Sequence, residues 1–155
     1  MNSGIVRPMN INDLRVILEI ERDSFPNPWS IQAFKAELID NEYAHYYCLE
    51  FQGQVIGYMG LWYIIDEGHI TNIAITPSYR GQQWGEYLMR YVMKKMLEAG
   101  MERMTLEVRT SNHSAQSLYS RLGFRTAGVR KGYYADSTED ALIMWAELGS
   151  EVNAT

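Results

Sequence analysis

The stretch Ile70-Thr71-Asn72-Ile73-Ala74-Ile75-Thr76-Pro77-Ser78-Tyr79-Arg80-Gly81-Gln82-Gln83-Trp84-Gly85-Glu86-Tyr87-Leu88 decides the fold. β-branched side chains dominate its start, and Ile70, Ile73 and Ile75 read as a strand. Pro77 ends the ladder, because it has no N–H to give and a fixed φ. A loop with Arg80 and two glycines, Gly81 and Gly85, follows. From about Trp84 the apolar spacing turns helical, with Leu88, Val92, Met96 and Ala99 on one stripe. The order is strand, tight loop, helix.

The backbone N–H groups of the first helical turn have no partner within the helix. They lie at the positive end of the helix dipole, which suits a phosphate or pyrophosphate. Arg80 can add a charge-assisted bond. The loop is therefore either a phosphate cradle or an ordinary β-loop-α connection. No Gly-Lys-Ser/Thr follows to hold a metal and a γ-phosphate, and the Gly-x-Gly-x-x-Gly dinucleotide pattern is missing.

At 155 residues the chain is long enough for one domain with a core and short for two. With 46% hydrophobic and 21% charged residues it reads as a soluble globular protein. The apolar run Val55–Ile65 falls well short of the roughly 20 residues of a membrane-spanning helix. Met1-Asn2-Ser3-Gly4 lacks the regions of a signal peptide. The single Cys48 allows no internal disulfide, so a cytoplasmic location is expected. His45, His69 and His113 are scattered, and no metal is expected. A net charge of −5 argues against nucleic acid as the main partner. The late cluster Arg121, Arg125, Arg130 and Lys131 reads as a solvated basic face.

In chain order, Ile5–Arg7 suits an edge strand and Asn12 a cap for a helix ending near Ser24. Phe25-Pro26-Asn27-Pro28-Trp29 cannot be helical; it is either core filling or a pocket wall. Ser30 caps a second helix. Tyr43–Phe51 and Gln54–Ile64 form a hairpin about Gln52-Gly53, and Asp66-Glu67-Gly68 turns into the opening strand. The long helix ends at Gly100. In the strand Arg103–Arg109, Met104, Leu106 and Val108 share one face, and Thr105, Glu107 and Arg109 the other. Glu107 is costly in a central strand unless it faces water or a partner. Asn112 precedes a helix whose stripe is Ala115, Leu118, Tyr119 and Leu122. Two further strands flank an aromatic loop, Lys131–Asp136. There is no repeat or linker, so residues 1–149 are expected to form a single α/β domain, with 150–155 a frayed tail.

Three blocks stand together: Asn72-Ile73-Ala74-Ile75 through Gly85, Leu106-Glu107-Val108-Arg109-Thr110-Ser111-Asn112 to Leu118-Tyr119, and Leu122-Gly123-Phe124 to Glu139-Asp140-Ala141-Leu142. In order and spacing they resemble the Gcn5-related N-acetyltransferases (GNAT). Within that superfamily they look most like the bacterial RimI-type enzymes, which acetylate the N-terminal alanine of a small-subunit ribosomal protein. The resemblance runs from about Ile5 to Leu148. It implies a mixed, mostly antiparallel sheet of six to seven strands, helices on both faces, and acetyl-CoA between splayed fourth and fifth strands. It places Ile73, Ala74 and Ile75 along the acetyl and pantetheine end, and Arg80, Gly81, Gln82, Gln83, Trp84, Gly85 and Glu86 around the pyrophosphate. Asn112 would contact the pantetheine arm. Glu107 would be the general base and Tyr119 the general acid. Phe25 and Pro26, with Tyr133 and Tyr134 opposite, would grip a peptide, the N-terminus of a basic ribosomal protein.

One position departs from the family loop: Gln83 stands where a glycine is usual. It must either take the turn under strain or offer its side chain to phosphate, and weaker cofactor binding is expected. The chemistry asks for a neutral amine, a base, a donor for the oxygen that gains charge, found in a strand N–H near Ile75, and a proton donor for sulfur. Glu107 fits if its site raises its pKa. Two rival expectations share the fold: an acetyltransferase for a small-molecule amine, and a non-catalytic acyl-CoA-binding domain.

Overall fold

A computed structural model of the chain describes residues 4–149; the tail expected at 150–155 lies outside them. In chain order the elements are β1 (Ile5–Pro8), α1 (Leu14–Ser24), α2 (Ile31–Lys35), β2 (Ala44–Phe51), β3 (Gln54–Ile64), β4 (Glu67–Ile75), α3 (Trp84–Glu98), β5 (Arg103–Arg109), α4 (His113–Arg121), β6 (Arg125–Tyr134) and β7 (Glu139–Glu147). The seven strands are ordered β1-β2-β3-β4-β5-β7-β6. The β4–β5 ladder is parallel and runs from Glu67↔Arg103 to His69↔Thr105. The pairs β1–β2, β2–β3, β5–β7 and β6–β7 are antiparallel.

Four local details differ from the sequence reading. The first helix is entered through a 3-10 turn capped by Asn10, whose side chain accepts from the Asn12 N–H while Asp13 returns a bond to Asn10. The cap is therefore Asn10 and not Asn12, a capping box set two residues earlier. The second helix closes as a π turn, Ala36–Asp40. The β3–β4 turn falls at Ile65 and Asp66, with Ile65 at φ 58°. Tyr133 and Tyr134 belong to β6, and the turn that follows is 135–138.

The chain divides into two compact units: residues 4–63 with 71–91, and residues 64–70 with 92–149. Strand β4 and helix α3 contribute residues to each. The first unit has a core of Met9, Leu14, Ile17, Ile20, Phe34, Tyr46, Cys48, Tyr58 and Ala74. Phe34 meets Tyr46 and Tyr58 edge-on, at ring separations of 6.2 and 5.9 Å, the arrangement aromatic quadrupoles favour. Gly60 is required here, because a Cβ would sit 2.1 Å from the Tyr46 ring. In the second unit the alternation of β5 holds: Met104, Leu106 and Val108 are buried, with Tyr119, Leu122, Phe124, Ala141, Met144 and Ala146. Glu107 is consequently on the other face of its strand from that core.

Candidate active site

In the first unit, β4 delivers Ile73, Ala74 and Ile75, and a 3-10 turn, Pro77–Tyr79, leads to the loop. The Arg80 side chain folds back, donating from Nε to the Ile75 carbonyl (2.8 Å) and from its terminal nitrogen to Ser24 Oγ (2.8 Å). Gly81 and Gln83 both take left-handed backbone, at φ 75° and 69°. Gln83 thus adopts the glycine-like turn itself, a conformation that costs a side-chain-bearing residue about 1–2 kcal/mol. The first helical bond of α3 is Tyr87 N–H to the Gln83 carbonyl, at 3.0 Å. The N–H groups of Trp84, Gly85 and Glu86 precede it, and such groups have no acceptor within a helix. Exposed Gly81, Gln82 and Gln83 leave this turn open to a phosphate. Gln82 holds the Ser78 carbonyl (3.3 Å) and Glu86 pairs with Arg90 (3.0 Å). The Trp84 side chain is buried against Phe51 and Tyr87, so only its backbone can serve a ligand.

Phe25 and Pro26 lie in the link between α1 and α2. Phe25 is half-buried against the core and Pro26 is exposed. Beneath them is a polar arrangement that sequence reasoning missed. Glu21, only 2% exposed, accepts the Trp29 N–H (2.9 Å) and the Tyr58 hydroxyl. Burial pushes its carboxyl pKa up. Glu37 accepts from Tyr46 (3.0 Å), from the Trp62 indole (2.7 Å) and from Asn41 (2.8 Å). Tyr46 also bonds Thr71, which donates to Asn72, each at 3.0 Å. The Asn72 side chain, immediately before Ile73, lies against Glu21 and Tyr58, although its buried amide nitrogen makes no hydrogen bond of good geometry among the described residues.

In the second unit, Glu107 meets one of the three scattered histidines: His69 Nε2 lies 2.9 Å from Glu107 Oε1. The β4–β5 register opposes His69 to Thr105, and Glu107 is two residues on, the same face of β5. Burial pushes the Glu107 carboxyl up, but the hydrogen bond and charge of His69, with Arg130, outweigh it. The net shift is down. The condition set for a base at this position, a raised pKa, is not met: the imidazole partner favours the ionised carboxylate.

Tyr119 is buried, its ring 5.9 Å from Phe124, and burial pushes its hydroxyl up to about 12. Asn112 caps α4, its side-chain oxygen accepting from the Ala115 N–H (3.1 Å). Tyr133 and Tyr134 stand edge to face at 5.0 Å. The Arg109 guanidinium lies 4.0 Å from the Tyr134 ring centre and pairs with Asp136 (2.9 Å) and Glu139 (3.2 Å). Ser111 and Arg109 hold the Glu139 carboxyl down to about 2. The turn 135–138 is thereby pinned, and Tyr134 with it. Among the described residues no cluster of His, Cys, Asp or Glu could hold a metal, and no helix is long and apolar enough to cross a membrane.

The acetyltransferase (GNAT) family model matches residues 14–124, and the chain belongs to that family. It is 48% identical, over 92% of its length and 95% of the relative's, to a Bacillus subtilis (strain 168) protein provisionally named a ribosomal protein bS18-alanine N-acetyltransferase. To the Escherichia coli (strain K12) enzyme of that name it is 32% identical, over 90% and 94% of the two chains. The crystal structure of the Escherichia coli ribosomal-protein-S18-alanine N-acetyltransferase superposes with a TM-score of 0.87, at 30% identity over 95% of each chain.

Proposed function

We propose that this acetyltransferase moves the acetyl group of acetyl-CoA to the N-terminal α-amine of a protein, the N-terminal alanine of ribosomal protein bS18. The observation that carries it is the likeness of nearly the whole chain to enzymes named for that reaction. Residues 1–149 are read as a single catalytic domain, since β4 and α3 serve both units. Acetyl-CoA supplies the activated acyl group. Arg80, Gly81, Gln82 and Gln83, with the first N–H groups of α3 at Trp84, Gly85 and Glu86, would take its pyrophosphate. Ile73, Ala74, Ile75 and Asn112 would take the pantetheine and acetyl end. Phe25, Pro26, Tyr133 and Tyr134 would take the peptide.

The reaction forms a C–N bond and breaks a C–S bond. The attacking amine must be neutral. With an α-amino pKa near 8, about a tenth of an N-terminus is neutral at pH 7, against about 0.04% of a lysine. An N-terminal amine therefore asks little of its base. Glu107 is held ionised by His69, and its lowered pKa makes it a weak base; it would take the amine's proton only as the C–N bond forms and acidifies that nitrogen, directly or through water. Tyr119 serves the leaving sulfur. A hydroxyl at about 12 lies well above a thiol at about 8.5, so it acts by donating a hydrogen bond more than by giving up its proton.

The test is acetyl transfer to two basic peptides, read by mass spectrometry. One begins with a free alanine and has no lysine; the other has a blocked N-terminus and internal lysines. Acetylation of the first alone is expected. Transfer to lysine, or to small amines but neither peptide, would overturn the proposal.

A further inference from the structure

Two carboxylates in the first unit are held in polar networks that the proposed chemistry does not use, and one of them governs a loop that it does. The link from Phe25 to Trp29 contains Pro26 and Pro28, which carry no N–H. Its backbone donors are Phe25, Asn27 and Trp29. The Phe25 N–H goes to the backbone carbonyl of Glu21 (3.1 Å), and the Trp29 N–H to the Glu21 carboxylate (2.9 Å). The Phe25 end is thus held by the main chain of α1, and the Trp29 end by the Glu21 side chain. The other carboxylate oxygen accepts from the Tyr58 hydroxyl in the core. A further tie lies next to Phe25: Arg80 donates to Ser24 Oγ (2.8 Å), and Ser24 Oγ donates to the Ile20 carbonyl (2.6 Å).

A carboxylate buried among neutral donors carries a desolvation cost that an apolar side chain would not. An apolar side chain would, however, leave the Trp29 N–H without its acceptor. We infer that Glu21 is a positioning residue for peptide recognition: its carboxylate pins the Trp29 end of a link whose other end is fixed by the α1 main chain, and so presents Phe25 and Pro26 to the substrate in one conformation. The inference rests on the proposal that this link grips the peptide.

The test compares Glu21→Leu and Glu21→Gln with the wild type on the alanine-starting peptide. Glu21→Leu is expected to raise the peptide KM roughly tenfold, the size of effect when a buried donor loses its acceptor. The acetyl-CoA KM and kcat should stay within about threefold, the split that marks lost substrate binding. Glu21→Gln keeps an oxygen for the Trp29 N–H and should restore the peptide KM. A Leu variant with unchanged peptide KM, or with kcat alone reduced, overturns the inference, as does a Gln variant no better than Leu. If Glu21→Leu does not fold, Tyr58→Phe frees the far side of the carboxylate. It should raise the peptide KM by roughly threefold, and an unchanged value there is equally fatal. A wild type inactive on the peptide sinks the functional proposal itself. An active wild type with an unperturbed Leu variant sinks only the role of Glu21.

Discussion

Glu21 in the first unit and Glu107 in the second are both carboxylates withdrawn from water, and their surroundings drive them in opposite directions. Glu21 is met by a phenol and a backbone amide, and burial moves its pKa up. Glu107 is met by an imidazole, with Arg130 acting on it as well, and its pKa moves down. Neutral donors satisfy the lone pairs of a buried carboxylate without repaying the loss of its hydration; a partner able to carry charge repays it. Glu21 is thus suited to holding backbone in place. Glu107 stays ionised, on the strand face opposite the core, and can accept a proton that substrate delivers.

The contrast is tested most sharply by removing the proton acceptor. Glu107→Gln should lower kcat by about a hundredfold or more, the usual range for a general base, while circular dichroism and acetyl-CoA binding stay normal. Near-normal turnover would reduce Glu107 to a structural charge like Glu21. Tyr119→Phe is expected to cost about tenfold in kcat, the loss of one hydrogen bond made best to the departing sulfur. Because its hydroxyl sits at about 12, Tyr119 should produce no inflection in the rate profile below pH 10. An inflection there that vanishes in Tyr119→Phe would show that it does give up its proton.

The two carboxylates also differ in what the sequence could reveal. Glu107 was legible because strand alternation sets it opposite Met104, Leu106 and Val108, and a charge at that position demands explanation. Its partner His69 was not legible. The contact depends on the register of β4 against β5, which only the folded chain fixes. Glu21 was hidden for a different reason. On the helical stripe it neighbours Leu14, Ile17 and Ile20, and a charged residue in that company reads as the wet edge of an amphipathic helix. Its acceptor role depends on Trp29 and Tyr58, eight and thirty-seven residues away. The hairpin at Gln52-Gly53, with φ of 53° and 78°, and the cap at Gly100, with φ of 89°, could be read locally because turn chemistry is local.

Stability against pH offers a second way to separate the pair. A carboxyl whose folded pKa exceeds its ordinary value of 4.5 contributes stability below 4.5, and loses it as pH rises through the folded value. Glu21 is of this kind, so Glu21→Gln should flatten the decline in stability just above pH 4.5. Glu107 has the opposite sign: its contribution is complete above 4.5 and is lost as pH falls through its lowered folded value. Glu107→Gln should therefore flatten the acid limb below pH 4.5. Chemical denaturation between pH 3 and 8 would measure both. Slopes of the same sign in the two variants would contradict the difference drawn from their partners.

The smallest effect expected is at Gln83. Its φ of 69° is glycine's territory, and Gly81, two residues earlier, is also left-handed at 75°. Gln83→Gly relieves about 1–2 kcal/mol of local strain but loosens the unfolded chain by about 0.4–1 kcal/mol. The net gain in stability should be about 0.5–1 kcal/mol, a rise of a few degrees in Tm. The backbone could then approach a phosphate without a side chain in the way, so the acetyl-CoA KM should fall while the peptide KM is unmoved. A weaker acetyl-CoA affinity in the glycine variant would reverse the assignment. It would mean that the Gln83 carboxamide, not the absence of a side chain, is what the pyrophosphate meets, and that the strain is retained in exchange for a ligand contact.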